Sequence, residues 1–400
     1  MTLQLSGTAS LPDRRVVVTA LGITQILAWG STFYLLGVLA NPIVRDTGWS
    51  YAFVMAGVSA GLFVAGLVSP RVGRTIGARG GRPVLAAGAV LLALGLALIG
   101  IAPTVPVYIG GWIAVGAGMG AGLYDAAFST LGSIYGKDAR KPITWVTLFG
   151  GFASTVCWPL SAFLVEQLGW RGACFVYAAI QIGFALPIHL FVLPARPDEV
   201  STATADKAAV DLARDERLVF LILASVLTLG AAILAMVGMH LLALLQARGV
   251  TLAAAVAFGA MVGPSQVGAR VIEMLAGSRY HPVWTMIAST VLVAVGTWLL
   301  YLDVPIYAAA LVLYGAGNGI GSIARGTLPL ALFGAQRYPV LMGRLALPLL
   351  IAMSIAPLLG ALIFDAAGAD GTLGLLSAMA TLNVLLVCAL KLSIPKPEQR

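Results

Sequence analysis

An all-α membrane protein of twelve spanning helices, arranged as two pseudo-symmetric six-helix halves, is the fold class this sequence predicts. Three observations carry it. The 400 residues are 60% hydrophobic and only 10% charged, with a mean hydropathy of +0.96, a balance no ordinary water-soluble domain has. The apolar residues gather in runs long enough to cross a bilayer, roughly 20 residues each. Finally, residues 58–128 reappear without a gap 199 positions later, as residues 257–327. The match includes Arg71/Arg270, Pro83/Pro282, the segment from Val105 to Tyr108 against that from Val304 to Tyr307, and a glycine ladder. In the ladder Gly116, Gly118, Gly120 and Gly122 meet Gly315, Gly317, Gly319 and Gly321. Tandem halves of this kind belong to membrane proteins whose halves move about a site between them.

Taken in order, the runs lie near 16–40, 51–70, 83–101, 106–132, 143–165, 173–193, 218–242, 253–275, 283–301, 304–332, 340–363 and 372–394. The first follows Asp13, Arg14 and Arg15 and is too long for the apolar core of a secretion signal, so it reads as a span. The one long hydrophilic stretch, residues 194–217, is a linker between a half at 1–193 and a half at 218–400. Cys157, Cys174 and Cys388 fall within runs and imply no disulfide framework.

Orientation follows from lysine and arginine. Alternate ends of the twelve spans divide these residues 20 to three, with Arg45, Arg171 and Arg248 on the poor side and Arg325 inside a span. Both termini are therefore expected in the cytoplasm, with the chain in an inner (plasma) membrane. The net charge of +8 is inner-loop charge and implies no nucleic-acid partner. There is no phosphate-binding G-x-x-x-x-G-K-[ST] loop, no metal-ligand spacing and no sign of another cofactor, so neither nucleotide-driven work nor an enzyme is expected.

Twelve spans in two similar halves, a basic loop after span 2 and a longer central loop together resemble the major facilitator superfamily over the whole chain. Residues 69–85, SPRVGRTIGARGGRPVL, are similar to that family's signature loop: Gly73, Arg74, Gly81, Arg82 and Pro83 fit, while Gly77 stands where the family has aspartate. The resemblance implies a gating role for Gly73, Arg74, Gly81 and Arg82, and a differently built cytoplasmic latch. Residues 41–57, NPIVRDTGWSYAFVMAG, and the pair Gln266 and Arg270 in span 8 look like the monocarboxylate and oxalate porter branch, with Gln266 replacing a carboxylate. The drug-exporter motifs of spans 4 and 5 are absent, with Trp112 and Pro159 in unmatched settings. The resemblance implies a monomeric secondary transporter that moves a small organic anion by alternating access with proton coupling. An exporter of an amphiphilic drug, toxicant or metabolite is the alternative, and a non-transporting receptor on the same fold is a third.

A charge within the hydrocarbon costs on the order of 2.5–3.5 kcal/mol on insertion scales, so such residues are presumed functional. Asp125 in span 4 and Arg325 in span 10 are the clearest, at nearly equivalent places in the two halves. Helical spacing puts Gly118, Gly122 and Asp125 on one face, and Gly317, Gly321 and Arg325 on another. The resemblance makes spans 1, 4, 7 and 10 the cavity walls. Asp125 is accordingly expected to carry the coupling proton and Arg325 to hold the anion, the alternative being a structural ion pair with glycines that serve close packing. Arg270 either holds the anion, with Glu273 as its local partner, or extends to the interface as its repeat mate Arg71 does. Gln25, Trp29 and Tyr34 in span 1 and Asn318 in span 10 are pocket candidates or packing residues. His189 and His240 read as interfacial, and Glu166 and Asp365 as solvated span ends.

Overall fold

The computed structural model describes residues 13–195, 212–276 and 280–394, so all but the edges of the 194–217 linker lies outside the described residues. The described residues are helical, and the helices account for twelve spans. Span 1 is two helices, Arg14–Gly30 and Leu36–Thr47; span 2 is Tyr51–Arg79 and span 3 Gly81–Ile101. The run Val105–Phe191 supplies spans 4, 5 and 6, turning near Gly136 and at Gly169. Span 7 is Arg214–Ala247, span 8 the helix pair Leu252–Ala260 and Val262–Ala276, and span 9 Pro282–Tyr301. Tyr307–Ser393 supplies spans 10, 11 and 12, turning at Gly334 and Gly368. Gly169 (φ 69°) and Gly368 (φ 64°) are repeat mates in the left-handed region, where a side chain would be strained, so the 5/6 and 11/12 turns are one device used twice.

Several helices overrun their apolar runs. Span 2 continues past residue 70 to Arg79 because Arg71, Arg74 and Thr75 are exposed or half-buried there, so the helix carries a wet face beyond the hydrocarbon. Its end is satisfied by the Gly80 N–H, which donates to the Ile76 carbonyl.

The glycine ladder holds each half together. Side chains added at Gly116 and Gly120 would strike span 2 at Gly61 and Ala65, and one at Gly118 would strike Leu92 of span 3. In the second copy, Gly315 and Gly319 abut Val262 and Gln266 of span 8, while Gly317 and Gly321 abut Ser289 of span 9. These glycines let backbones approach within the membrane, where van der Waals packing replaces the hydrophobic effect. They face neighbouring helices, which corrects the expectation that they share a cavity-lining face with the charges.

Between the first six and last six spans, packing joins spans 2, 4 and 5 to spans 8, 10 and 11. It lies toward the end that carries the basic loops. There Gly73 meets Pro339 and Gly343, Gly132 meets Tyr338, and Gly326 meets Phe128 and Ile143.

Candidate functional site

Three spans break where they approach the middle of the bundle. Span 1 loses its helix at residues 31–35, span 4 at Leu123 (φ −85°, ψ −168°), and span 5 at Gly151–Phe152. A broken helix exposes backbone groups that lipid cannot satisfy, so such breaks survive only inside protein or along a cavity. The groups here find partners. The Gln25 side-chain amide donates to the Gly122 carbonyl at the break in span 4 (2.7 Å), and Gln181, opening a π turn in span 6, donates to Ser31 Oγ (3.0 Å). Gln25 is fully buried and its Oε1 has no partner.

Arg270 of span 8 reaches into this convergence. It is 6% exposed; its Nε donates to the Gly319 carbonyl of span 10 (3.1 Å) and one terminal nitrogen to the Thr147 carbonyl of span 5 (3.0 Å). A side chain at Gly151 would collide with that same nitrogen, so the break in span 5 makes the room Arg270 occupies. Tyr124, from the break in span 4, also donates to Thr147 O (3.3 Å). No carboxylate pairs with Arg270 among the described residues. Glu273, expected as its local partner, instead accepts from Thr285 (2.7 Å) and faces Arg140 of span 5 (3.8 Å): one turn further along, it points at the neighbouring elements. Arg71, the repeat mate of Arg270, is exposed, so the interfacial reading describes Arg71 alone.

Aromatic side chains wall the site. Trp29 packs on Tyr124 (ring centroids 5.1 Å), Phe33 (5.7 Å) and Tyr34 (6.4 Å), and Tyr124 stacks on Phe128 (5.0 Å, 12° between planes). The buried indole N–H of Trp29 has no partner. Gln266 is half-buried with its backbone against Gly319, and Asn318 donates to the Tyr314 carbonyl of its own helix (3.1 Å).

Asp125 and Arg325 form an ion pair between span 4 and span 10, with an N–O distance of 2.5 Å and side chains 12% and 18% exposed. The second carboxylate oxygen of Asp125 is buried without a partner. Because span 4 restarts at Tyr124, Asp125 occupies the first turn of a new helix, where free N–H groups and the helix dipole favour an anion. The break also rotates Asp125 off the face of Gly118 and Gly122, so the i, i+4, i+7 relation does not hold.

The remaining candidates scatter. Gly73 and Gly81 are packing glycines against Gly343 and Thr130, Arg74 bonds its own helix at Pro70 O (3.4 Å), and Arg82 is half-buried. His189 is 4% exposed and bonded to Thr24 (3.3 Å), because span 6 packs its last turns onto spans 1 and 3. His240 bonds the Pro357 carbonyl (2.9 Å), and Glu166 and Asp365 are exposed. Among the described residues no three potential metal ligands come together. Sequence reasoning missed Tyr124, Thr147 and Arg140; Tyr124 had one available signal, its place beside the intramembrane Asp125.

The sequence model of the Major Facilitator Superfamily matches residues 21–282. The chain belongs to that superfamily. A stretch of 110 residues is 36% identical to the MFS-type transporter pgmG of Aspergillus terreus, covering 26% of this chain and 19% of that protein. Another of 139 residues is 28% identical to monocarboxylate transporter 11 of Mus musculus, covering 34% and 29%. The chain thus matches less than a third of the length of either relative. In three dimensions it is similar to the human organic anion transporter MFSD10 (TETRAN), with a TM-score of 0.76 and 16% identity over 94% of this chain and 100% of the other. It is likewise similar to the transporter FucP in its outward conformation, with a TM-score of 0.74 and 15% identity over 93% and 98%. At these identities the structural likeness speaks for the fold. That superfamily is one of multi-pass membrane transporters and not of enzymes, and the chain has its fold.

Proposed function

We propose that this transporter moves a small organic anion bearing a carboxylate, by alternating access and with proton coupling. The observation that carries the reading is Arg270: a cation buried among broken helices and held by backbone carbonyls, with no carboxylate to neutralise it among the described residues. A buried charge without a counter-ion is costly, and an incoming carboxylate supplies one through charge-assisted hydrogen bonds to a planar donor group. Trp29, Tyr34 and Tyr124 would wall the anion and keep water away, with Gln266 nearby on the same span as Arg270. In this reading Asp125 takes the proton. Neutralising it frees Arg325, which adds a second cation for the anion and loosens a tie between the two sets of spans. The halves would be residues 1–193 and 218–400, rocking about the linker at 194–217, with both termini cytoplasmic in the inner membrane. The likeness to a monocarboxylate transporter over part of the chain supports the same class.

Substitution of Arg270 tests this. Arg270→Lys keeps the charge and loses the two-pronged geometry; transport of a labelled monocarboxylate into proteoliposomes should fall about tenfold or more, in line with charged hydrogen bonds worth roughly 1.5–3 kcal/mol. Normal flux at normal folded yield would remove Arg270 from the anion site.

A further inference from the structure

Beside this site lies a groove that the anion reading leaves unused. It has a volume of about 510 Å³ and is lined by Gly37 and Val38 of span 1 and by Thr155, Trp158, Pro159 and Ala162 of span 5. The groove is open, with Gly37, Thr155, Trp158, Pro159 and Ala162 exposed and Val38 half-buried. Its walls are almost wholly apolar. Trp158 is 47% exposed, and its one polar atom is already engaged, donating to the Tyr34 carbonyl at 3.2 Å, so the ring presents carbon to the groove. The lack of a side chain at Gly37 keeps the space open, since a Cβ there would stand 3.2 Å from the Trp158 indole nitrogen.

The groove runs into the anion site through Tyr34. The Tyr34 ring packs edge-on against Trp158 (5.9 Å) on one side and lies against Trp29 (6.4 Å) on the other, and Trp29 packs on Tyr124, whose hydroxyl shares the Thr147 carbonyl with Arg270. Tyr34 therefore joins the apolar slot to the aromatic wall of the Arg270 site.

Resting on the carboxylate reading above, we propose that this groove seats the apolar tail of the transported anion, and that the substrate is an amphipathic monocarboxylate with an aliphatic or aromatic tail of several carbons. Charge complementarity selects this occupant: Arg270 accepts the head and the adjoining carbon-lined groove accepts the tail. An anion of two or three carbons would leave the groove empty, and a hydrophobic cation would meet like charge at Arg270. Discrimination then grows with tail length, by about two- to fourfold in affinity for each methylene withdrawn from water.

The test is a binding series on the purified full-length protein in nanodiscs, using the sodium salts of unbranched monocarboxylates from ethanoate to decanoate. Three proteins are compared: the native chain, Ala162→Leu, which fills the groove, and Trp158→Ala, which removes its wall and serves if the first variant fails to fold. Affinity of the native protein should climb along the series, and the preference for octanoate over propanoate should drop about tenfold in either variant. Equal binding of short and long carboxylates by the native protein would overturn the tail site and leave the carboxylate reading standing. An equally steep climb in the variants would mean that tails partition into lipid, and would overturn it too. Failure of every carboxylate to bind would take down the reading of Arg270 and this proposal with it.

Discussion

The duplication builds the same seam twice, and the two copies have diverged. Spans 2 and 8 are repeat mates, as are spans 11 and 5, so the contact of span 2 with span 11 corresponds to that of span 8 with span 5. The first is closely packed. Gly73 and Gly343 bring backbones together, with Gly343 against the Ser69 carbonyl and Gly66 against Leu347, and Gly77 abuts Val340 where the family's aspartate would stand. The second is polar. Arg140, at the position equivalent to Pro339, donates to the Tyr280 carbonyl (2.7 Å) and faces Glu273, the mate of exposed Arg74. Arg270, the mate of exposed Arg71, donates to Thr147. Close backbone packing is short-ranged and tolerates little change of shape, whereas charged contacts respond to ions and ligands. On the proposed alternating access, the 2/11 seam would fix the closed geometry and the 5/8 seam would link it to an anion at Arg270.

The largest test of this division strikes between the seams. Removing one partner of a buried pair costs about 3 kcal/mol or more, so Asp125→Asn and Arg325→Gln should each lower folded yield. If Asp125 carries the coupling proton, Asp125→Asn should also abolish proton-driven accumulation while exchange of substrate across the membrane persists, and the double neutral variant should recover yield but not accumulation. Recovery of accumulation in the double variant would reduce the pair to a tie between the halves.

A smaller effect is expected in the closely packed seam. Gly343→Leu places a side chain against the Ser69 carbonyl and the Gly73 backbone, neither of which can turn aside. Overpacking of this kind costs about 1–3 kcal/mol, so the basic end should open and transport should drop at least tenfold, with the opening read as a longer distance between spin labels at Lys137 and Tyr280. An unchanged distance would show that the seam does not hold the closed form.

The smallest effect belongs to the polar seam. Arg140 and Glu273 are 26% and 15% exposed and 3.8 Å apart, a pair worth up to about 1 kcal/mol. Glu273→Gln should therefore shift the same label distance toward the open form by no more than about fivefold in population, and raised salt should mimic it in the native protein. Salt sensitivity that survives Glu273→Gln would place the ionic tie elsewhere.

The membrane fold was legible in the sequence because its signals are local and periodic. Apolar runs, the 199-residue repeat and the glycine ladder each depend on neighbours along one helix or on a copy of it. The glycines' purpose was legible as well, in the packing alternative. The site was legible only in part: the intramembrane charges stood out and the pairing of Asp125 with Arg325 was one of the readings, but the carbonyl partners of Arg270 were not foreseen. Arg71 and Arg270 are the same residue at equivalent positions of the repeat, and only the tertiary structure sends one to solvent and buries the other. It does so because the carbonyls that hold Arg270 come from spans 5 and 10, far off in sequence, and because the break at Gly151 clears space for it. The break at Leu123, which turns Asp125 away from the glycine face, likewise depends on Gln25 of span 1 satisfying the carbonyl of Gly122. Hydropathy decided which segments cross the membrane; where a polar side chain finds its partner was decided by three-dimensional packing, since in lipid every such group must be satisfied by protein.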